Sequence, residues 1–284
     1  MNWQKSSLKK LTTFKIGGKI ARFIEPKDEP ELREALIFGR RHKLKIFILG
    51  AGSNILASDR GVKGIVIRLS SALFTQIKVS GNEIEAGSGV PLGRFLSVAK
   101  KHKLGGAEFL AGIPGTVGGA LFMNAGAWGR DIGDLVKDIR TMDYAGREKI
   151  ISKKSAGLTY RSSNLAKFII LSARFKLAKQ NRTAAADKIK KYLENRAKSQ
   201  DNSLPSAGCI FKNPAQCSAG LLIDACGLKG KKCVGAVISP KHANFILNTG
   251  RAKAADVLRL IAKVQKKVKE QFGIELKPEI KIWK

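Results

Sequence analysis

The chain has 284 residues, 44% hydrophobic and 26% charged, which is the balance of a folded globular protein with one large or two to three smaller domains. Its net charge of +31 would suit a polyanion-binding protein, but the lysines are spread along the chain instead of forming one nucleic-acid-binding block. No apolar run is long enough to span a bilayer, and the four cysteines lack the paired spacing of a zinc site. Because no apolar signal segment opens the sequence, we expect a reduced, cytoplasmic protein.

The first 70 residues are predicted to form short strands around one helix. We predict strands at residues 14–18, 21–26, 45–49 and 64–69, and a helix at 30–42. Residues 71–176 follow with predicted strands at 76–79, 83–86, 139–143 and 168–175, and a helix at 92–102. These segregated pieces, without strict βαβ alternation, indicate an α+β fold.

The C-terminal third contains the clearest helices. A polar helix is predicted at 183–198 with Thr183 as its N-cap, and a second at 218–226 ended by Gly227. Strands are predicted at 236–238 and 244–247. Residues 252–272 form the best-defined helix, since one apolar stripe recurs at helical spacing and Gly273 ends it. The stripe consists of Val257, Leu260, Ile261, Val264 and Val268.

A first glycine motif, residues 49–56 (LGAGSNIL), follows the predicted strand 45–49. Glycines at this position allow a tight turn and offer peptide N–H groups to an anion. The dinucleotide signature GxGxxG is incomplete because Ile55 replaces its third glycine, and a further strand follows instead of a helix. Either an ordinary turn or a phosphate cradle of another kind explains the motif.

A second glycine-rich segment spans residues 105–133 and contains nine glycines. Such density lets the backbone approach a flat or phosphorylated ligand closely. Residues Pro114–Thr116 can open a short helix whose N-terminus would face a diphosphate. The two glycine segments together indicate one large dinucleotide bound extended between two subdomains.

Three shorter motifs are unremarkable by themselves. They are Tyr160-Arg-Ser-Ser, the run from Pro205 to Pro214 around Cys209, and Lys277-Pro-Glu-Ile near the C-terminus. Taken separately, Arg161 is typical of a surface ion pair, Cys209 of a buried small hydrophobe and Glu279 of a solvated carboxylate.

In this order, however, the motifs resemble the UDP-N-acetylenolpyruvoylglucosamine reductase (MurB) family over nearly the whole chain. The similarity runs through TFKIGG at 13–18, GAGSN at 50–54, AGIPGTVGG at 111–119 and NAGA at 124–127. It continues through YRSS at 160–163, SAGCIFKNP at 206–214, KHANFILN at 241–248 and PEI at 278–280. The short spacing between Tyr160 and Cys209 resembles the compact subtype of the family.

The resemblance implies a two-subdomain FAD-binding fold of the vanillyl-alcohol-oxidase type plus a smaller α+β substrate domain. The FAD-binding domain would span residues 1–180, with subdomains of about 1–70 and 71–180. The substrate-binding domain would span 181–284, with the last strand returning to the active site. The implied reaction is the FAD-mediated, NADPH-dependent reduction of UDP-N-acetylglucosamine enolpyruvate to UDP-N-acetylmuramate in peptidoglycan precursor synthesis. We expect a monomer whose partner is this UDP-sugar, and no nucleic acid, membrane or metal.

The resemblance also assigns site residues. Arg161, Cys209 and Glu279 are implied to be catalytic. The implied FAD-binding residues are Gly50, Ala51, Gly52, Ser53, Asn54, Gly112, Ile113, Pro114, Gly115, Thr116, Gly118, Gly119, Asn124 and Ala125. The implied substrate-binding residues are Tyr160, Asn213, Lys212, Arg196 and Gln200.

Hydride delivery to C3 of the enolpyruvyl group would build negative charge on its carboxylate, which Arg161 and Glu279 are implied to stabilise. Glu279 would act as a protonated hydrogen-bond donor or would position Arg161. The family usually has serine at position 209, and a thiol, with a pKa of about 8.5, is also able to donate the proton that C2 needs. We therefore predict Cys209 as the general acid. A second departure is Asp201, where the compact subtype commonly has proline.

Two alternatives make different predictions. Another flavin oxidase or dehydrogenase on the same fold would share the glycine motifs but not the set of Arg161, Cys209 and Glu279. A nucleic-acid-binding protein, which the charge suggests, would bind DNA or RNA in a salt-sensitive way and contain no flavin.

Overall fold

The computed structural model describes residues 3–215 and 217–284. The chain separates into two compact units, each built from several segments of the sequence. The first comprises Met1–Gln4 (described from Trp3), Arg22–Ala51 and Gly64–Arg196, and the second comprises Lys5–Ala21, Gly52–Lys63 and Ala197–Lys284. Each predicted domain is one continuous stretch of sequence, whereas each unit is built from several stretches. The functional roles predicted for residues 1–180 and 181–284 therefore stay predictions.

The α-helices differ widely in length. They are α1 Leu8–Leu11, α2 Glu29–Arg41, α3 Leu92–Lys101, α4 Val117–Phe122, α5 Arg182–Ser199, α6 Ala219–Ala225 and α7 Ala254–Phe272. Single 3-10 turns lie at Leu73–Thr75, Glu108–Leu110, Ile132–Asp134 and Asn164–Lys167.

The strands of the first half are β1 Gln4–Ser7, β2 Lys19–Ile24, β3 Lys45–Leu49, β4 Ile55–Ala57, β5 Val62–Arg68, β6 Ile77–Ser80, β7 Glu83–Gly87, β8 Leu104–Gly105, β9 Gly126–Ala127 and β10 Arg130–Asp131. Those of the second half are β11 Val136–Asp143, β12 Glu148–Ser152, β13 Phe168–Lys176, β14 Ala178–Lys179, β15 Ser206–Cys209, β16 Lys232–Cys233, β17 Ala236–Ile238, β18 Phe245–Asn248 and β19 Lys281–Trp283.

Two sheets organise the first unit. One contains β3 and β5, which are parallel from Lys45↔Gly64 to Leu49↔Arg68. The other is antiparallel, with the order β12-β11-β13-β7-β6. One apolar cluster contains Leu32 and Ile65 together with Met142 and Leu171. The two predicted FAD-binding subdomains therefore share a core.

The second unit is an antiparallel sheet of order β15-β18-β17-β16 packed with α6 and α7. The predicted stripe of α7 is confirmed, because its five residues are at most 4% exposed and belong to the unit's core. Gly273 ends the helix in the left-handed conformation, at φ 69°. The last strand, β19, pairs in parallel with β4.

Two local predictions were wrong. Residues 14–18 are not a strand: Lys15 has φ 56° and Gly17 has φ 130°, and the Asn248 amide donates to the carbonyl of Phe14 at 2.9 Å. The alternating burial that imitated a strand comes from side chains inserted into the core from an irregular loop. Thr183 is not the N-cap of α5, since its own N–H donates to the side chain of Asn181 at 3.0 Å.

The helices within the described ranges 3–215 and 217–284 include none that is both long and apolar enough to cross a membrane.

Candidate active site

Arg161 sits at the tip of a tight turn in the first unit. Thr159 and Ser162 exchange backbone hydrogen bonds of 3.0 and 3.1 Å, which leaves Tyr160 and Arg161 at the turn's centre. Arg161 adopts a left-handed backbone conformation, with φ 52°, that non-glycine residues rarely occupy. Such conformations are enriched at functional sites, so the strained turn agrees with the predicted catalytic role of Arg161, which stays a prediction.

The guanidinium of Arg161 is held by the β9–β10 hairpin. It donates to the carbonyl oxygen of Gly126 at 2.7 Å, lies 3.5 Å from a carboxylate oxygen of Asp131, and contacts the Tyr160 ring at 5.0 Å from its centroid. Burial raises the pKa of Asp131, against the opposing effect of Arg161, and the charge of Asp134 adds to the increase. The side chain of Arg161 remains 19% exposed, so its cation is oriented without being fully enclosed.

Asn124 connects the second glycine segment to this turn. Its side-chain amide donates to the carbonyl of Thr159 at 3.0 Å and accepts from the N–H of Gly133 at 3.0 Å. The residue is 3% exposed and has φ 42°. The structure thus shows Asn124 supporting the arginine turn, and its direct contact with FAD stays a prediction.

The two glycine segments meet inside the first unit. A Cβ added at Gly50 would lie 2.9 Å from the Thr116 hydroxyl and 3.9 Å from the Cα of Gly119. Thr116 caps α4 by accepting the N–H of Gly119, so the short helix predicted after Pro114 is present. A Cβ at Gly119 would meet only that hydroxyl, at 3.6 Å, among the described residues. Side chains therefore leave the backbone open here, which fits a flat dinucleotide such as FAD.

Arg196, a predicted substrate ligand, packs on the same segment. Gly112 has φ 73°, and a Cβ there would lie 2.7 Å from Cδ of Arg196 and 3.1 Å from Leu193. Helix α5 can approach this backbone only because residue 112 has no side chain. Gln200 directly follows α5 and belongs to the second unit, whereas Arg196 belongs to the first.

Cys209 ends strand β15 in the second unit. It pairs with Phe245 of β18, and a bulge that includes Gly208, at φ 73°, separates this pair from Ser206↔Leu247. The thiol is partly buried against a small apolar cluster of Val237, Phe245 and Leu247. The bulge shifts the pairing register by the time the strand reaches Cys209, and such irregularities are common next to active sites.

Asn244 fixes the chain just after Cys209. Its amide accepts from the N–H of Phe211 at 2.9 Å and donates to the carbonyl of the same residue at 2.8 Å. Its own carbonyl accepts from the N–H of Ile210 at 2.8 Å. Asn244 is 2% exposed, so these bonds are shielded from water and hold the segment rigidly.

Asn213 and Lys212 follow in the same segment. The side-chain oxygen of Asn213 accepts the N–H of Ala219 at the start of α6, at 3.0 Å. The N–H of Lys212 donates to the carbonyl of Lys277 at 2.9 Å. Lys212 is thus anchored through its backbone and Asn213 through its side-chain oxygen, and their contact with a substrate stays a prediction.

The segment around Glu279 lies beside the Cys209 segment. Phe211 forms an antiparallel bridge with Pro278, and the N–H of Glu279 donates to the carbonyl of Ile210 at 2.8 Å. On its other side, Asn54 of the first glycine motif donates its side-chain N–H to the carbonyl of Glu279 at 3.4 Å. The second unit therefore brings Asn54, Cys209 and Glu279 into one backbone network.

This part of the second unit is electropositive. Burial lowers the pKa of Lys281, the nearby charge of Lys212 lowers it further, and Glu279 opposes both. A cluster with two lysines and one carboxyl group favours an anionic ligand.

The predicted catalytic residues are divided between the units. Arg161 belongs to the first, with Gly50, Ala51 and residues 112–125, whereas Cys209 and Glu279 belong to the second, with residues 52–54. Their convergence on one ligand stays a prediction.

Three supporting residues were missed from the sequence. Asn244 lies in the family-like run 241–248, and Asp131 is distant in sequence from the arginine that it contacts. Asp201 was noted only as a departure from the family pattern. No sequence spacing indicated these partners, because each contact depends on the tertiary fold.

Comparison with known proteins covers both parts of the chain. Residues 20–152 match a family model described as an FAD binding domain. Residues 197–283 match the C-terminal domain of UDP-N-acetylenolpyruvoylglucosamine reductase.

Two relatives are named UDP-N-acetylenolpyruvoylglucosamine reductase. The protein of Caldanaerobacter subterraneus subsp. tengcongensis is 42% identical over 277 residues, which cover 97% of this chain and 91% of the relative. That of Moorella thermoacetica is 41% identical with the same coverage.

Solved structures agree. The crystal structure of the reductase of the same name from Thermus caldophilus is similar with a TM-score of 0.88 and 33% identity, covering 100% of both chains. A cholesterol oxidase variant from Brevibacterium sterolicum matches 63% of this chain and 38% of its own, with a TM-score of 0.50 and 18% identity. This second similarity concerns the fold alone and agrees with the predicted FAD-binding type.

Proposed function

The chain belongs to the UDP-N-acetylenolpyruvoylglucosamine reductase family, and we propose how its own residues carry out the reaction of that family. It is an FAD-dependent oxidoreductase that uses NADPH to reduce UDP-N-acetylglucosamine enolpyruvate to UDP-N-acetylmuramate in peptidoglycan synthesis. The predicted α+β fold and FAD cofactor are confirmed by the matching domains and by the reductase of known structure.

When bound, FAD would supply the hydride transfer that connects NADPH to C3 of the enolpyruvyl group. The open backbone at Gly119 would hold the cofactor, with Gly50 and Thr116 beside it, since an added Cβ at Gly119 would meet only the Thr116 hydroxyl among the residues described. Residues 51–54, 112–115, 118, 124 and 125 complete the proposed set.

Arg161 stabilises the negative charge that grows on the substrate carboxylate. A guanidinium keeps its charge at any working pH and presents several N–H donors in a fixed plane. The carbonyl of Gly126 and the carboxylate of Asp131 orient it before substrate arrives. Electrostatic stabilisation is most effective when the donor needs no reorganisation during the reaction, which these two contacts provide.

Cys209 donates the proton that C2 requires. Its strand is fixed by pairing with β18 and by the three hydrogen bonds of Asn244, so the thiol is presented from a rigid segment. Glu279 stabilises the same developing charge, either as a protonated donor or by orienting Arg161. Tyr160, Asn213, Lys212, Arg196 and Gln200 contact the UDP-sugar.

The observation that supports this proposal most strongly is the backbone pairing of the thiol and carboxyl segments. Residues far apart in sequence, Ile210 and Glu279, are joined by a 2.8 Å hydrogen bond, with Lys212 and Lys277 joined beside them. Such pairing gives two candidate catalytic groups a common rigid support.

We further propose that the protein acts in the cytoplasm as a monomer and does not bind nucleic acid. Lysines scattered over the whole sequence favour a solvated basic surface over a dedicated polyanion site. Sedimentation at the mass of one chain, 30.8 kDa, in the presence and absence of DNA would test both statements.

Flavin spectroscopy tests the function directly. The purified protein should show a flavin absorption spectrum that NADPH bleaches and the enolpyruvyl substrate restores. Simple alcohols should not react, which separates this reductase from other flavin oxidases of the same fold. A colourless protein that cannot be reconstituted with FAD, or a reduced flavin that the substrate leaves reduced, would refute the proposal.

A further inference from the structure

Asp201 is a buried carboxylate in the second unit that the reaction itself does not use. It is 6% exposed and occupies the position where the compact subtype commonly has proline. One carboxylate oxygen accepts from the N–H and the hydroxyl of Ser203, at 3.1 and 2.6 Å. The other accepts from the hydroxyl of Ser239 at 2.6 Å.

The hydroxyl of Ser239 has no freedom to reverse this bond. Its oxygen accepts the N–H groups of Lys241 and His242, both at 3.0 Å, which occupy its two lone pairs. Its single proton must therefore be donated, and Asp201 must accept it. The N–H of Ser203 can likewise only donate, so both oxygens of Asp201 must be acceptors.

These contacts involve the segment before the strand that carries Cys209 and the turn before the strand that pairs with it. Ser203 lies in the lead-in to β15, three residues before Ser206. Ser239 begins the turn that returns to β18: its N–H donates to the carbonyl of Phe245 at 2.9 Å, and Phe245 is the pairing partner of Cys209. Asp201 thus connects the segment that precedes β15 to the turn that precedes β18.

We propose that Asp201 is a positioning residue for Cys209, acting through Ser203 and Ser239 as an ionised carboxylate. This inference rests on the proposed function of Cys209 as the proton donor. Asparagine cannot replace the carboxylate, because its NH₂ group would face either the Ser239 hydroxyl proton or the Ser203 N–H. A small shift of β15 would move the thiol relative to the carbon that it protonates, and displacements of this kind are costly to catalysis.

The test compares Asp201→Asn with Asp256→Asn. Asp256 is a matched control, because it is a 3% exposed carboxylate of the same unit whose hydrogen bonds among the described residues, from the N–H of Lys253 at 3.0 Å and the guanidinium of Arg259 at 3.4 Å, lie within α7 and its cap. Stopped-flow absorbance would follow flavin reduction by NADPH and reoxidation by the enolpyruvyl substrate. The alkylation rate of each cysteine, followed by mass spectrometry, would measure the accessibility and reactivity of the Cys209 thiol without catalytic turnover.

Asp201→Asn should leave flavin reduction within about twofold of wild type and slow reoxidation by about tenfold or more. It should also change the alkylation rate of Cys209 by about threefold or more, relative to Cys233 in the same molecule. Asp256→Asn should leave the rates of both half-reactions and the Cys209-to-Cys233 alkylation ratio unchanged, even if it lowers the melting temperature. Ser203→Ala, which keeps the backbone bond to Asp201, should give a smaller effect in the same direction and serves if Asp201→Asn does not fold.

Equal slowing of both half-reactions by Asp201→Asn would show a merely structural role and overturn the inference. Wild-type reoxidation together with wild-type alkylation of Cys209 would also overturn it. If the enzyme function itself were wrong, wild-type protein would show no reoxidation, and the alkylation ratio would still decide whether Asp201 positions the thiol.

Discussion

The N–H of Glu279 donates a hydrogen bond of 2.8 Å to the carbonyl of Ile210, the residue after Cys209. A carboxyl group close to the C-terminus is thereby fixed to the segment that carries the thiol, across a separation of 69 positions in the sequence. Backbone pairing holds the two segments independently of the side chains that perform the chemistry. Variants of those side chains should therefore retain the fold, which makes their kinetic effects interpretable.

Asn244→Ala tests the support of this segment. The variant leaves the buried N–H and carbonyl of Phe211 without their partners, and the unfolding free energy should fall by about 2–5 kcal/mol. Chemical denaturation of the apoprotein measures this. Asn202→Ala, at an exposed position of the same unit, should stay within about 0.5 kcal/mol of wild type. An Asn244→Ala protein as stable as wild type would show that the two side-chain hydrogen bonds of Asn244 contribute nothing to the unfolding free energy.

Gly119→Ala tests the cofactor approach. The new methyl group would lie 3.6 Å from the Thr116 hydroxyl, so the apoprotein should be as stable as wild type. The methyl group would occupy space open to the ligand, and FAD affinity should fall about tenfold, or about 1.4 kcal/mol.

Gly118→Ala, at the neighbouring residue of the proposed FAD-binding set, serves as a comparison for stability alone. There the methyl group would lie 2.8 Å from Cβ of Ser88, so this variant should lose about 1–3 kcal/mol of stability through overpacking. Calorimetry of the apoproteins and fluorescence titration with FAD measure both effects. Unchanged FAD affinity in Gly119→Ala would place the cofactor elsewhere.

Acid should weaken the second unit through Asp201. Burial acts to raise the pKa of Asp201, but hydrogen bonds from Ser203 and Ser239 outweigh it, so the pKa is lowered from 3.8. A group whose pKa is lower in the folded state stabilises the fold fully above its unfolded pKa. That stabilisation is lost as the pH falls from there through the folded value.

The comparison with Asp201→Asn isolates this contribution. The difference in unfolding free energy between wild type and variant should be constant above about pH 5 and should shrink as the pH falls below about 4. Denaturation curves across this range measure it. A difference that grew toward low pH would contradict the assigned direction.

Arg161→Lys tests the oriented cation. Lysine keeps the charge but lacks the planar set of donors that reaches both Gly126 and Asp131. We expect kcat to fall by about 10²-fold or more while FAD content and flavin reduction by NADPH stay near wild type. Arg130→Lys, on the same hairpin, is the control and should remain active. Wild-type kcat in Arg161→Lys would remove this residue from the mechanism.

Sequence periodicity predicted the helices well and the supporting contacts poorly. The stripe from Val257 to Val268 is local, and its burial follows from helical spacing alone. The loop at 14–18 imitated a strand because Phe14 and Ile16 are buried at 0% and 2%, although Lys15 between them is left-handed. Burial on alternate residues is shared by strands and by anchored loops, so the pattern could not separate them.

The candidate site shows the same limit. Motif resemblance identified Arg161, Cys209 and Glu279, because their residue types recur in a fixed order. It could not identify Asp131 or Asp201, since Arg161 and Ser239 lie 30 and 38 positions away from them and meet them only in the folded chain. Residues that orient catalytic groups are thus less visible in a sequence than the groups themselves.

Single-turnover kinetics of Cys209→Ala test whether Cys209 protonates the substrate after hydride transfer. NADPH should bleach the flavin of this variant at the wild-type rate, whereas the second half-reaction with the enolpyruvyl substrate should slow by about 10²–10⁴-fold. Cys209→Ser, which restores an exchangeable proton, should remain active. Full turnover by Cys209→Ala would show that Cys209 is not the proton donor.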